Sequence, residues 1–210
     1  MSKLYFTSDL HLGHANIMKY CGRTIFMTKE DKFKYGCSLS LSDAEQKSFK
    51  VSDQSVYNMN EGIINRWNER VKPGDTVIHV GDFLFKNKRN RGEGIDVKAV
   101  SYEERLNGKI VFIKGNHDYN NTCKTKIYSL QLKMDSHYIN AVHDPIFANV
   151  NYSVNITGHV HGEWECQRIR LGESFTDCVN CGVDVWNFCP VTYEELKGRL
   201  WRWRKKSSLS

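Results

Sequence analysis

The sequence predicts an α/β fold, and three observations carry that prediction. Short apolar runs rich in β-branched or aromatic residues recur along the chain and end in polar residues. Stretches with helical spacing fall between them, and the residues best suited to hold a metal follow directly after the runs. Strands interspersed with helices argue for α/β architecture, in which ligands gather beyond the carboxyl ends of the strands.

Taken in order, residues 3–7, 76–80, 109–113, 138–142, 154–157 and 178–183 read as strands. The clearest helix lies between the first two. There Val56, Met59, Ile63, Ile64, Trp67 and Val71 follow helical spacing, Ser52 or Asp53 can cap the first turn, and Pro73-Gly74 turns the chain into the next strand. Weaker helical patterns cover roughly 14–20, 97–106, 120–130 and 191–200. The stretch 27–53 is polar and without clear period, and reads as an insertion, either a lid or a surface excursion.

No repeat, low-complexity tract or linker divides the 210 residues, so one domain over 1–196 is expected, followed by a basic aromatic tail over 197–210. The formal charge of +6 belongs to that tail: 197–206 holds six cations and no acid, and the remaining residues balance at 24 against 24. Trp201 and Trp203 alternate with these cations, which would let the tail stack on bases and hold phosphates of a nucleic acid. The alternative, given precedence, is an amphipathic end whose tryptophans pack on the domain while the cations stay solvated.

No window offers the roughly eighteen apolar residues of a spanning helix, and Asp9 precedes any signal-type apolar stretch, so neither a membrane nor secretion is expected. The Asn-x-Ser/Thr triplets at Asn120, Asn151 and Asn155 would matter only in a secreted protein. The odd count of 7 cysteines fits a reducing cytoplasm. Cys178-Val-Asn-Cys181, with Cys166 and Cys189, lacks a second Cys-x-x-Cys pair, so these read as core cysteines and not as a zinc site.

The chemistry lies beyond the strands. Asp9 and His11 follow the first, Asp82 the second, Asn116 to Asp118 the third, His143 the fourth, and His159 with His161 the fifth. Asp9 and His11 are two apart, as are His159 and His161, and in extended backbone each pair points one way. Two carboxylates, one amide oxygen and four imidazoles form a donor set without sulfur, suited to manganese, iron, zinc or cobalt. Seven side chains exceed the needs of one tetrahedral ion and suit two ions sharing a carboxylate. Two divalent ions outweigh Asp9, Asp82 and a bridging hydroxide by one positive charge, which attracts a phosphate.

The order Asp9-Leu10-His11, Gly81-Asp82, Gly115-Asn116-His117-Asp118, His143, Gly158-His159-Val160-His161 resembles the calcineurin-like metallophosphoesterase superfamily, most of all its small bacterial and phage members. The likeness runs from Lys3 to about Pro190. It implies a four-layer α/β/β/α sandwich of two mixed sheets flanked by helices, with a dinuclear metal site at the strand carboxyl ends. By motif position, Asp9, His11 and His161 would hold the first metal, Asn116, His143 and His159 the second, and Asp82 would bridge them. His117 matches the histidine that contacts the scissile phosphate and protonates the leaving group, after in-line attack by a metal-bridging hydroxide. The cofactor expected is two divalent ions, Mn2+ first, with Fe, Zn, Ni or Co as alternatives.

One departure stands out. Many relatives carry a polar residue three positions after the bridging Asp to orient the catalytic histidine, whereas here Asp82 is followed by Phe83-Leu84-Phe85. Either another group such as Asp118 compensates or turnover is modest. Substrate contacts are expected from Asn116, from His14 in the first loop, where Asn16 also falls, and from Arg23, whose guanidinium suits phosphate; the basic run Lys86, Lys88, Arg89, Arg91 could meet a polyanion. His79, inside a strand, and His137 are assigned no role in the site, as lone histidines without a motif. The expected activity is hydrolysis of a phosphodiester or phosphomonoester, of nucleotide type or another small ester. A nuclease using the same site is the alternative, and a non-catalytic scaffold is disfavoured by the complete ligand set.

Overall fold

The computed structural model describes residues 2–42, 46, 48–85, 99–118 and 123–207. The elements that build it are β1 (Leu4–Thr7), α1 (Ile17–Tyr20), α2 (Lys29–Ser38), α3 (Asp53–Arg70), β2 (Thr76–Val80), α4 (Ala99–Glu103), β3 (Lys109–Ile113), β4 (Ser129–Met134), β5 (His137–Val142), β6 (Val154–Thr157), β7 (Cys166–Leu171), β8 (Ser174–Asn180), β9 (Val191–Thr192) and α5 (Tyr193–Ser207).

They form two mixed sheets flanked by helices. The first runs β3-β2-β1-β9, with β1, β2 and β3 parallel and β9 antiparallel to β1; the second runs β4-β5-β6-β8-β7, parallel in its centre and antiparallel at both edges. Alternation along the strands divides the core in two. Tyr5 and Val77 face Met59, Ile63 and Trp67 of α3, while their neighbours Phe6 and Ile78 face Ile139, Ile156 and Val179 of the second sheet. The first sheet is thus covered on both faces, which is why its strands read as unbroken apolar runs. On the far side of the second sheet the chain folds its 149–152 loop over β6 and β8: Asn155 Nδ2 donates to Asn149 O at 3.1 Å and Thr176 Oγ1 to Tyr152 O at 3.0 Å.

The six expected strands are present, although the last covers 174–180 and ends before 181–183, which the sequence placed within it. Three were not anticipated: β4 and β7 are edge strands with alternating burial, and β9 is two residues long. The helix expected over 120–130 is absent among the described residues. Thr125 Oγ1 instead donates to Phe112 O at 2.6 Å, Lys114 N donates to Ile127 O at 2.8 Å, and the chain enters β4 at Ser129. Within the polar stretch 27–53 lies α2, capped by Thr28, whose hydroxyl accepts from Asp31 N at 3.1 Å. Asp31 also accepts from the hydroxyls of Ser52 (2.6 Å) and Ser55 (2.5 Å), so its carboxylate ties the insertion to the start of α3 and sits below its usual range despite burial.

The residues expected as a tail continue α5 from Tyr193 to Ser207, so the expected boundary at 196/197 falls inside a helix. Leu196 and Leu200 are core residues, and Trp203 packs against the same cluster. Arg199 lies 3.3 Å over the Trp186 ring, and Arg204 Nε donates to Asp177 at 2.7 Å. This matches the packing reading of the segment, although Trp201 is 57% exposed. Cys166, Cys178 and Cys181 are buried free thiols of the core, and burial pushes those of Cys166 and Cys178 up to about 12, as suits core cysteines. No described helix is long and apolar enough to cross a membrane.

Candidate metal centre

The loops after β1 and β2 form one unit. Asp9 N donates to Gly81 O (3.0 Å), His11 N to Asp82 O (3.1 Å) and Leu12 N to Phe83 O (3.1 Å), so the first two motifs are paired through their backbones. Five of the seven ligand residues lie in the left-handed region: Asp9 (φ 59°), His11 (49°), Asp82 (59°), His159 (71°) and His161 (48°). The extended alternation expected for Asp9/His11 and His159/His161 therefore does not hold. The side chains converge because each residue turns out of its strand, a strained geometry concentrated at one place. Two glycines make room for it. A Cβ on Gly81 (φ +90°) would strike the His143 ring, and one on Gly115 would strike the Asp82 carboxylate and amide.

The donor atoms form two overlapping sets. Asp9, His11 and His161 bring ligand atoms within 4.8 Å of one another, and so do Asp9, Asp82 and His143. Asp82 Oδ2 lies 3.4 Å from His11 Nε2 and 3.4 Å from His143 Nε2, midway between the sets, while its Oδ1 accepts from His117 N at 2.8 Å. Asn116 Oδ1 stands 2.8 Å from His143 Nε2 and 3.0 Å from His159 Nδ1, which completes the second set. Asp9 is fixed by Ser8 Oγ (2.5 Å) and by His159 N (3.0 Å).

Both ring nitrogens of His11 are buried without a hydrogen-bond partner, and burial pushes its pKa down to about 2. A neutral imidazole whose Nε2 lies 3.4 Å from the Asp82 carboxylate suits a cation ligand. Burial raises the Asp9 carboxyl, whereas Asp82, although buried, is held well below the usual carboxylate range by His143 and His11 and by the His117 amide. Burial opposes charging of His143, yet Asp82 and Asp9 lift it to about 9. Concentrated nitrogen and oxygen donors with two buried carboxylates are what divalent cations require, so the residues present fit the two ions expected.

The seven expected ligands come together, but two of the expected substrate contacts are placed differently. Arg23 does not face a substrate. It is 1% exposed, and its guanidinium donates to both carboxylate oxygens of Asp184 (2.8 Å each), to Leu10 O (2.9 Å) and to Asp9 O (2.8 Å). Its donors are spent on the ligand loop. Asp184, which the sequence reading missed, then accepts from His161 Nδ1 at 2.9 Å and leaves Nε2 available to a metal. Together with burial, which opposes it, and Cys21 nearby, this partner lifts His161 to about 10, while His161 and Arg23 hold Asp184 down at about 2. Asp184 comes just after the run 178–183 that the sequence marks as its last strand, as the other acids come after theirs, the signal by which it could have been found.

His14 is buried in the wall of the site, its ring stacked on Phe85 (3.8 Å, 11°) and 5.4 Å from His11. Asn16 is exposed and opens α1 by accepting from Lys19 N. His117 is exposed, with its ring 5.3 Å from His11 and edge-on to Phe85 at 5.4 Å. The position after the second motif thus supplies an aromatic edge in place of a polar orienting group. Asp118 does not compensate: its carboxylate accepts from Asp82 N (2.9 Å) and Gly115 N (2.8 Å) and serves the backbone. His79 is buried among Phe83 and Phe112, and His137 opens β5, both apart from the site. The basic run Lys86, Lys88, Arg89, Arg91 and the Asn120 triplet lie outside the described residues.

Comparison with known proteins agrees with this geometry. An uncharacterised protein of Methanocaldococcus jannaschii is 27% identical over 198 residues, covering 92% of this chain and 89% of the relative. A crystal structure of a protein of unknown function from Aquifex aeolicus shares the fold with a TM-score of 0.59 at 18% identity, over 94% of this chain and 99% of the other. Residues 2–169 match the family profile described as calcineurin-like phosphoesterase. The ordered ligand motifs, the two mixed sheets and that match together make this chain a member of the calcineurin-like phosphoesterase family.

Proposed function

We propose that the chain hydrolyses a phosphoester at this centre, with Asp9, His11 and His161 holding one divalent ion, Asn116, His143 and His159 a second, and Asp82 shared. The observation that carries this reading is the position of Asp82 Oδ2, 3.4 Å from a histidine of each set. Two divalent ions would supply charge to polarise phosphoryl oxygens and to ionise water near neutral pH, and manganese is the first choice for this donor set.

The chain's own residues do the rest. Arg23 and Asp184 fix the tautomer of His161, and the His117 amide holds Asp82 in place. The His117 imidazole, exposed above His11, gives its proton to the departing ester oxygen. The buried free thiols Cys166, Cys178 and Cys181 support a reducing, cytoplasmic setting.

Metal-reconstituted protein should hydrolyse p-nitrophenyl phosphate, bis-p-nitrophenyl phosphate or both with manganese, nickel or cobalt. No hydrolysis of either ester with any of the three metals refutes the reading. A polynucleotide substrate is the second reading, supported by Trp201, exposed on α5 with Lys205 Nζ 4.0 Å over its ring. A Trp201→Ala variant that binds single-stranded DNA as tightly as the wild type removes it.

A further inference from the structure

A cavity of about 490 Å³ opens beside the second set of ligands, bordered by Asn116 and His143. Two of its walls are aromatic and exposed: Tyr128, just before β4, at 66%, and Phe147, in the turn after β5, at 68%. Val142 adds an apolar wall. Polar groups stand at its edges. Lys114 Nζ lies 5.4 Å over the Tyr128 ring, and Asp144, which accepts from Ile146 N at 3.0 Å, reaches to 3.8 Å from His159 Nε2. Ser129 contributes a hydroxyl.

The volume suits a small molecule, and the two exposed rings flanking an apolar wall offer it stacking surface. The chemistry selects the occupant. An aliphatic ester arm would cover the rings but strip water from Lys114 and Asp144 without replacing it. A planar heterocycle with donors and acceptors on its rim satisfies both, stacking on the rings while its edge meets the cation and the carboxylate.

We propose that this cavity binds the nucleobase of a nucleoside phosphodiester and that the nucleoside held there is the part that stays on phosphorus. The proposal rests on the phosphoesterase reading above. His117 stands over His11 and Phe85, on the side of the first set, whereas the cavity borders Asn116 and His143 of the second set. The arm that receives the His117 proton is therefore not the arm in the cavity. Water adds to phosphorus, the bond to the other ester oxygen breaks, that oxygen takes the proton, and a nucleoside monophosphate and an alcohol are released.

Two substrates with the same leaving group test this: the p-nitrophenyl ester of thymidine 5′-monophosphate and methyl p-nitrophenyl phosphate, each with the manganese-loaded full chain. The KM for the thymidine ester should be roughly tenfold lower, and thymidine 5′-monophosphate should bind by calorimetry roughly tenfold tighter than ribose 5-phosphate. In the doubly substituted Tyr128→Ala/Phe147→Ala protein both ratios should fall to about one, while Tyr128→Phe should keep them. Both side chains are largely solvent-exposed, so the fold does not depend on them. If both esters are hydrolysed with equal KM and the two monophosphates bind equally, the proposal is overturned and the phosphoesterase reading stands. If neither ester is hydrolysed, the phosphoesterase reading and the retained-arm assignment fall together, and equal binding of the two monophosphates would remove the base pocket as well.

Discussion

Replacing Arg23 by Met should damage the protein far more than the loss of a surface cation. The guanidinium is 1% exposed and makes four short hydrogen bonds, two to Asp184 and two to the carbonyls of Asp9 and Leu10. Methionine fills much of the volume but strips the Asp184 carboxylate, 5% exposed, of its guanidinium and leaves His161 as its remaining charged partner. Removing one partner of a buried pair costs about 3–5 kcal/mol, and for a chain of this size each kcal/mol lowers Tm by about 2–4 °C, so melting should fall by roughly 6–20 °C. Because Asp184 also holds His161 Nδ1, affinity for manganese should drop about 10–100-fold. Thermal melting in chelator and calorimetric titration of Mn2+ read the two effects separately. A variant that melts within about 2 °C of the wild type and binds manganese equally well would refute the positioning role assigned to Arg23.

Other perturbations probe other links. Gly115→Ala places a Cβ against the Asp82 carboxylate and amide, so manganese affinity should fall at least about tenfold by titration, and unchanged affinity would contradict the close approach. His117→Ala should keep its metal content by elemental analysis and lose about 10²–10⁴-fold in turnover, whereas parallel loss of metal would place His117 among the ligands. Asp177, 7% exposed between Arg168 and Arg204, titrates below the ordinary carboxylate range despite burial because both arginines pair with it. Its depressed pKa contributes stability that is present above about pH 4 and lost as pH falls below it, so Asp177→Asn should flatten the acid limb of a denaturation series; an unchanged limb would count against the docking of α5 through Arg204.

How much of this could be read in the sequence differs by element. The parallel strands β1, β2 and β3 were legible because a doubly covered sheet leaves unbroken apolar runs, and α3 because its buried face keeps helical spacing. The edge strands β4 and β7 were not, since burial on one side leaves polar alternation that Gln131 and Lys133 disguise. The helix α2 escaped because Thr28, Asp31, Ser52 and Ser55 hold it by hydrogen bonds and not by an apolar stripe. The seven expected ligands that the fold brings together were legible from motif order, yet the reason they converge was not: left-handed backbone at Asp9, His11, Asp82, His159 and His161 replaces the expected strand alternation. Arg23 shows the opposite limit. A guanidinium suits phosphate, but only the fold reveals that Asp184 and two carbonyls have taken its donors.

The central claim is that Asp82 is shared between two ions, and metal counting on the Asp82→Ala protein tests it most directly. Elemental analysis after manganese loading should give two ions per chain in the wild type, with loss of both, and of phosphoesterase turnover, in the variant, because Asp82 Oδ2 stands between His11 and His143. A variant that retains both ions, or a wild type that saturates at one, would contradict the shared site.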